Sequence, residues 1–197
     1  MQPSFSAIIP AAGISGRMGS DKALLPDGHG MTFAGNLVKS FLDHGCNPVV
    51  MVVNEQFDTS CFDEKNLVMV VNRNLERGRS WSIQLGLKVV PEGKVCFIQN
   101  IDNLFVAPSL LDLLLASVSS GNYSVPVCKG RGGHPMLLGG GVVDFFRKLK
   151  DIPDFRQELK RFTRVEVPFP DERILWNINT PADYHEFIRW TRYGEKL

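Results

Sequence analysis

Short, continuously apolar runs alternate with longer amphipathic ones, and this alternation constrains the fold more than any other feature of the chain. Runs at 5–11, 48–53, 67–71, 95–99 and 123–128 are strand-length, and most are apolar without interruption. A strand apolar at every position is covered on both faces, as in a parallel sheet flanked by helices. Between these runs, segments 32–44, 80–90 and 109–119 carry apolar residues at helical spacing. In the last of them Leu110, Leu111, Leu113, Leu114 and Val118 form a broad stripe, with Pro108 and Ser109 as its start. Gly45 and Gly121 stand where helices are expected to stop.

After Cys128 the pattern changes. A glycine-rich turn, KGRGGHP, leads into a short apolar run at 136–138 and a helical stretch through Phe145 and Leu149. Segments 164–167 and 174–176 read as shorter strands, open to antiparallel pairing. A final helix starts at Thr180 as N-cap with Pro181 in its first turn. No repeat, linker or low-complexity tract interrupts the chain. The expected architecture is α/β: one domain over residues 1–197, a three-layer sandwich around a mostly parallel, Rossmann-like central sheet.

A formal net charge of +1 gives no basic footprint for nucleic acid. No apolar stretch approaches the ~18 residues of a membrane span, and the N-terminus has no basic leader. A cytoplasmic protein is the expectation, with no nucleic-acid or membrane partner. Cys46, Cys61, Cys96 and Cys128 are widely spaced and form no C-x-x-C pair, so they offer no zinc signature. Cys96 and Cys128 lie in apolar runs and read as small core residues.

The stretch after the first run, IIPAAGISGRMGSDKALLP at 8–26, carries the chemistry. Gly13, Gly16 and Gly19 let a backbone turn sharply and approach an anion, while Arg17 and Lys22 add the side-chain charge a triphosphate demands. The spacing fits neither the Walker pattern nor the dinucleotide fingerprint.

The whole string A-A-G-x-S-x-R-M-G-x-x-K resembles the N-terminal signature of nucleotidyltransferases with a GT-A-like fold. Within them it is most similar to the molybdenum cofactor cytidylyltransferase and guanylyltransferase group. Four later segments resemble that group in order: NRNLERGRSWSIQLG at 72–86, with Asn72, Gly78, Ser82 and Gly86 matching; QNIDNLF at 99–105, with Asp102; GRGGHP, with Gly133, His134 and Pro135; and WNINTPADY, with Asn179, Thr180, Pro181 and Asp183. Two segments depart from the cytidine-using pattern: Asp102-Asn103-Leu104 replaces Asp-Gln-Pro, and Asn177-Ile178-Asn179 replaces Asp-x-Asp. The Asn-x-Asn form is closer to the guanine-using relatives. Ala11-Ala12-Gly13 points the other way, and a methyl group at position 12 is expected to narrow the base pocket toward a pyrimidine.

The resemblance implies transfer of CMP from CTP to the phosphate of a molybdopterin-type cofactor, with release of pyrophosphate. It implies Arg17, Lys22 and Asp102 as catalytic residues. Ala11, Ala12, Gly13, Ser15, Gly16, Asn72 and Ser82 are implied to bind nucleotide, Asp102 and Asn179 to hold Mg²⁺, and Gly133, His134 and Pro135 to face the acceptor. GTP as donor, a sugar or polyol phosphate as acceptor, and a non-catalytic nucleotide-binding module are the alternatives. His134 is expected to vary its charge near neutral pH. Trp81 is open to base stacking or core packing, Trp176 and Trp190 to packing, Lys129 and Arg131 to steering an anion or to solvation. The basic run at 156–164 reads as a solvated helix face.

Overall fold

The computed structural model describes residues 5–13, 18, 21–60 and 62–194. Its strands are β1 (Phe5–Pro10), β2 (Val49–Val53), β3 (Leu67–Val71), β4 (Val95–Ile98), β5 (Asn122–Cys128), β6 (Arg131–Gly132), β7 (Met136–Leu138) and β8 (Thr163–Pro168). Its helices are α1 (Phe33–Asp43), α2 (Gly78–Val89), α3 (Pro108–Ser117), α4 (Gly140–Lys148), α5 (Phe155–Leu159) and α6 (Pro181–Tyr193). The strands form one eight-stranded sheet in the order β3-β2-β1-β4-β7-β5-β6, with β8 on the other side of β5. β3, β2, β1 and β4 run parallel. β7 turns antiparallel to β4 and to β5.

Alternate residues of the buried strands feed two cores. Ala7, Ile9, Met51 and Phe97 pack with Leu37 and Phe41 of α1 and Leu110 and Leu114 of α3. Ile8, Val50, Val52 and Ile98 pack on the opposite face with Ile83 and Leu87 of α2 and Val142 and Phe146 of α4. This is the three-layer α/β arrangement that the uninterrupted apolar runs demand. Gly86 sets the approach of α2 to the sheet, since a Cβ there would lie 2.7 Å from Cγ2 of Ile8. Cys46, Cys96 and Cys128 are buried as free thiols, and Cys61 lies outside the described residues.

Local chemistry sets the helix ends. Thr32 caps α1 by accepting from the Gly35 amide at 3.1 Å, and Gly45 takes the left-handed conformation after it. Thr180 and Asp183 form a reciprocal capping box on α6, with Pro181 in the first turn. Trp176 and Trp190 pack edge to face, 5.4 Å between centroids. Among the described residues no helix is long and apolar enough to cross a membrane.

Three expectations are corrected. α3 ends at Ser117, so Gly121 belongs to the loop before β5 and not to the helix stop. The strand expected at 164–167 pairs parallel to β5, because α4 and α5 carry the chain back to the end of the sheet where β5 began. The segment expected as a strand at 174–176 contributes instead to a 3₁₀ turn, Glu172–Leu175. Asp171 caps that turn through the Arg173 amide at 2.9 Å. The buried Asn103 amide donates to the carbonyls of Arg173 and Ile174 at 3.2 and 3.0 Å. Side chains thus satisfy backbone groups that a ladder would otherwise take.

Candidate active site

The sheet changes direction of chain progress between β1 and β4, and in parallel sheets a crevice opens at the C-terminal ends of such a pair. The residues leaving β1 (Ala11, Ala12, Gly13) and β4 (Gln99 to Asn103) flank that crevice. It is divided into two clefts.

The first, of about 540 Å³, is lined by Ala11, Ala12, Gly13, Asp21, Lys22, Asn72, Arg79, Ser82 and their neighbours. Asp21 caps the 3₁₀ turn that carries Lys22, accepting from the Ala23 amide at 3.0 Å. Burial raises the Asp21 carboxyl above its usual range, opposed by that amide. Asn72 follows β3 directly, and its amide donates to Ser82 Oγ at 3.0 Å. Both are nearly inaccessible, at 1% and 5% exposure, so the pair is a fixed wall. Gly78 and Arg79 open α2 on the same side, where the positive end of the helix dipole favours an anion. Ala12 lines this cleft and also belongs to the buried cluster with Ile8, Val50 and Ile83. Ser15, Gly16 and Arg17 lie outside the described residues.

The second cleft, of about 290 Å³, is lined by Asn100, Asp102, Arg131, Gly133, His134, Arg156, Asn177 and Asn179 among others. Gly133 is required by close approach. A Cβ there would lie 2.5 Å from the Ile174 carbonyl oxygen, and the next amide, His134, donates to that same oxygen at 3.0 Å. Pro135 is buried behind a cis His134–Pro135 bond. Ile178 donates its amide to the Asp102 carbonyl at 2.8 Å, which holds the closing segment against the loop after β4.

Two contacts bridge the clefts. Lys22 Nζ donates to Asn179 Oδ1 at 2.8 Å. Arg79 Nη2 donates to Asn100 Oδ1 at 2.6 Å. Asn100 Nδ2 in turn lies 2.8 Å from His134 Nε2. In the second cleft, Asp102 Oδ1 is buried without a hydrogen-bond partner among the described residues. Burial raises the Asp102 carboxyl, while the charges of Lys22 and Arg79 oppose the rise.

A buried, unpartnered carboxylate oxygen fits a hard cation. Asp102 supplies that oxygen, and Asn179 Oδ1 is a neutral second donor held by Lys22. Among the described residues no group of three or more His, Cys, Asp or Glu side chains surrounds a metal position. Asp183 is committed to the α6 cap, accepting from the amides of Asn179 and Thr180 at 2.9 and 2.8 Å.

The expectation for His134 is corrected. Burial first, then the charge of Arg79, lowers its pKa to about 4, with the Ile98 carbonyl working the other way. The ring is therefore neutral near pH 7. Arg156 is also not merely solvated: it lines the second cleft from the one-turn helix α5, whose Phe155 and Leu159 are buried. Arg131 lines the same cleft, whereas Lys129 pairs outward with Glu172. Trp81 is covered by the Arg77 guanidinium, 3.4 Å above its ring. Arg79, Asn100 and Arg156 also line the two clefts, though none is among the residues matched by motif. The signals available are a charge inside an apolar helix face for Arg79 and the position of Asn100 at a strand end.

The family model for the MobA-like NTP transferase domain matches residues 7–168. Molybdenum cofactor cytidylyltransferase of Escherichia coli K12 is 24% identical over 187 residues, covering 92% of this chain and 94% of that protein. Among solved structures, Rv0371c from Mycobacterium tuberculosis H37Rv superposes with TM-score 0.81 at 20% identity, covering 96% of this chain and 100% of that one. The same protein in complex with manganese gives TM-score 0.72 at 17% identity, with coverage of 96% and 100%. 2-C-methyl-D-erythritol 4-phosphate cytidylyltransferase from Thermus thermophilus gives TM-score 0.69 at 18% identity, with 96% and 99% covered. The chain belongs to the MobA-like NTP transferase family and is a nucleotidyltransferase.

Proposed function

We propose that this MobA-like nucleotidyltransferase transfers CMP from CTP to the phosphate of a molybdopterin-type cofactor and releases pyrophosphate. One observation carries the reading: two cation–amide contacts tie the clefts together, and the unpartnered Asp102 oxygen belongs to a residue that lines the second cleft and feels the charges of Lys22 and Arg79 from the first. The first cleft has the size and anion-seeking groups for a nucleoside triphosphate, and the second adjoins it through the Lys22–Asn179 and Arg79–Asn100 contacts on the acceptor side.

In the reaction an acceptor phosphate oxygen forms a bond to the α-phosphorus as the bond from that phosphorus to the α,β-bridging oxygen of the triphosphate breaks. That oxygen leaves with its electron pair as a terminal oxygen of pyrophosphate. Both reactants are anionic, so positioning and charge neutralisation dominate. Arg17 neutralises the β- and γ-phosphates, and Lys22, anchored on Asn179, meets the charge that builds at the α-phosphate. Asp102 and Asn179 hold Mg²⁺, which when bound draws charge from the phosphate oxygens. Asn72 and Ser82 fix the wall beside the nucleotide. An ionised phosphate needs no general base, in keeping with a neutral His134 as a contact for the acceptor. CTP is favoured as donor by the Ala11-Ala12-Gly13 segment and by the Escherichia coli relative.

The second cleft supports a second reading for the acceptor. Its volume of about 290 Å³ and its lining of amides and charges suit a sugar or polyol phosphate. Calorimetric titration of Mg–CTP and Mg–GTP, repeated with Asp102→Ala, tests the donor. CTP binding weakened by the substitution is expected, and a clear GTP preference overturns the cytidine assignment. Pyrophosphate release with molybdopterin cofactor or with methylerythritol phosphate then separates the two acceptors.

A further inference from the structure

The contact chain between the clefts fixes more than distance. Arginine has only donors, so the Asn100 atom 2.6 Å from Arg79 Nη2 must be the amide oxygen. The other amide atom is then the NH₂ group, also only a donor, and it lies 2.8 Å from His134 Nε2. That nitrogen must accept. A neutral imidazole has one donor and one acceptor nitrogen, so its proton sits on Nδ1. Nδ1 is buried and makes no hydrogen bond of good geometry among the described residues, and the Ile98 carbonyl is the group that favours a proton on the ring.

We propose that Arg79 is a positioning residue that sets the tautomer of His134 through Asn100, and so links the nucleotide cleft to the acceptor cleft. Arg79 is half-buried, and among the described residues its only hydrogen bond is the one to Asn100, leaving Nε buried and unpartnered. A guanidinium placed so sparingly is a poor stabilising device. Its other neighbours are functional: it lines the first cleft and feels the charges of Arg156 and Asp102. An anion entering the first cleft meets Arg79 directly, and any restraint on its guanidinium passes through one amide to the ring that faces the acceptor. The coupling is reciprocal, since linkage between two binding sites has no direction.

The test uses the full chain with ¹⁵N-labelled histidine rings and long-range proton–nitrogen correlation spectra at neutral pH. The chain has four histidines, and His134 is assigned by its loss in His134→Gln. The wild-type ring is expected to carry its proton on Nδ1 in roughly tenfold excess, the scale of one charge-assisted hydrogen bond. Arg79→Met removes the guanidinium and should collapse that excess. Asn100→Asp offers an acceptor to both neighbours and should move the ring proton to Nε2. A wild-type ring protonated on Nε2, or an Arg79→Met ring unchanged from wild type, overturns the proposal. Should Arg79→Met fail to fold, the wild-type and Asn100→Asp spectra still decide. The link between clefts rests on the nucleotide reading given above. Saturating Mg–CTP should shift the His134 signal in wild type and leave it unmoved in Arg79→Met, and bound CTP without a shift in wild type refutes the link. Failure of CTP to bind counts against the donor assignment alone, because the tautomer is read without nucleotide.

Discussion

Lys22 Nζ donates to Asn179 Oδ1 across 2.8 Å, joining side chains 157 residues apart in sequence. The contact ties the loop after the first strand to the segment that opens the last helix. It also gives Lys22 a fixed position at the seam between the clefts. Lys22→Ala should therefore lower turnover by roughly 10²- to 10³-fold, the scale of losing one preorganised electrostatic contact to the transition state. Pyrophosphate release under saturating substrates checks this, with the thermal midpoint moving little.

Asp102→Asn separates charge from shape. Burial holds the Asp102 carboxyl above its ordinary range, so the folded protein binds that proton more tightly than the unfolded chain does. The contribution of this group to stability declines as pH rises through its folded pKa, and at pH 7 the ionised form is a cost. The neutral amide should leave the thermal midpoint unchanged or higher at pH 7. Mg²⁺-dependent nucleotide binding should fall at least ~10-fold in the same sample, because the cation loses its charged ligand. Calorimetry on the two proteins reads both effects.

His134 makes an acid limb. Its pKa of about 4 in the fold lies below the ordinary 6.5, so below pH 6.5 the unfolded chain takes up the proton first. Stability from this group is complete above pH 6.5 and is lost as pH falls toward about 4, by up to about 3 kcal/mol. Urea midpoints at pH 7 and pH 5 should show a smaller difference in His134→Gln than in wild type. Equal differences in the two proteins would count against a depressed pKa.

Asn103 is a clamp. Its amide donates to the carbonyls of Arg173 and Ile174, and its oxygen accepts from the Phe105 amide at 3.0 Å. Asn103→Ala strips partners from buried backbone groups and should cost about 2–4 kcal/mol. Chemical denaturation measures the loss. The variant should also weaken acceptor use more than nucleotide binding, since Ile174 supports the Gly133–His134 turn.

Much of this is readable from the residues because it is local. The run at 67–71 is β3 at the same boundaries, and the Thr180-Pro181 start is the capped N-terminus of α6. Lys22, Asn72, Ser82, Asp102 and His134 are marked by motif, and the fold brings them to one crevice. What sequence cannot supply is long-range. Nothing near Asn103 says that it will satisfy carbonyls 70 and 71 residues later and so turn an expected strand into a 3₁₀ turn. The charge state of His134 depends on burial and on Arg79, neither of which is adjacent in sequence. Arg156 sits in a charged run that reads as solvent-facing until the fold brings it over the second cleft.

The two clefts also divide the polypeptide in order. Among the described residues, those lining the first lie between Pro10 and Ile101, and those lining the second between Asn100 and Asn179. On the proposed reading, donor and acceptor recognition fall in consecutive stretches that meet at the end of β4. On that reading a hybrid spliced there, with its second half taken from a relative, should inherit its base preference from one parent and its acceptor from the other. The condition is that the grafted half still pairs Cys96, Phe97 and Ile98 in register with its counterpart of β7. On that reading substrate range in this architecture can diversify by recombination at one point, provided the grafted half keeps the Asn100 and Asn179 side chains that Arg79 and Lys22 contact.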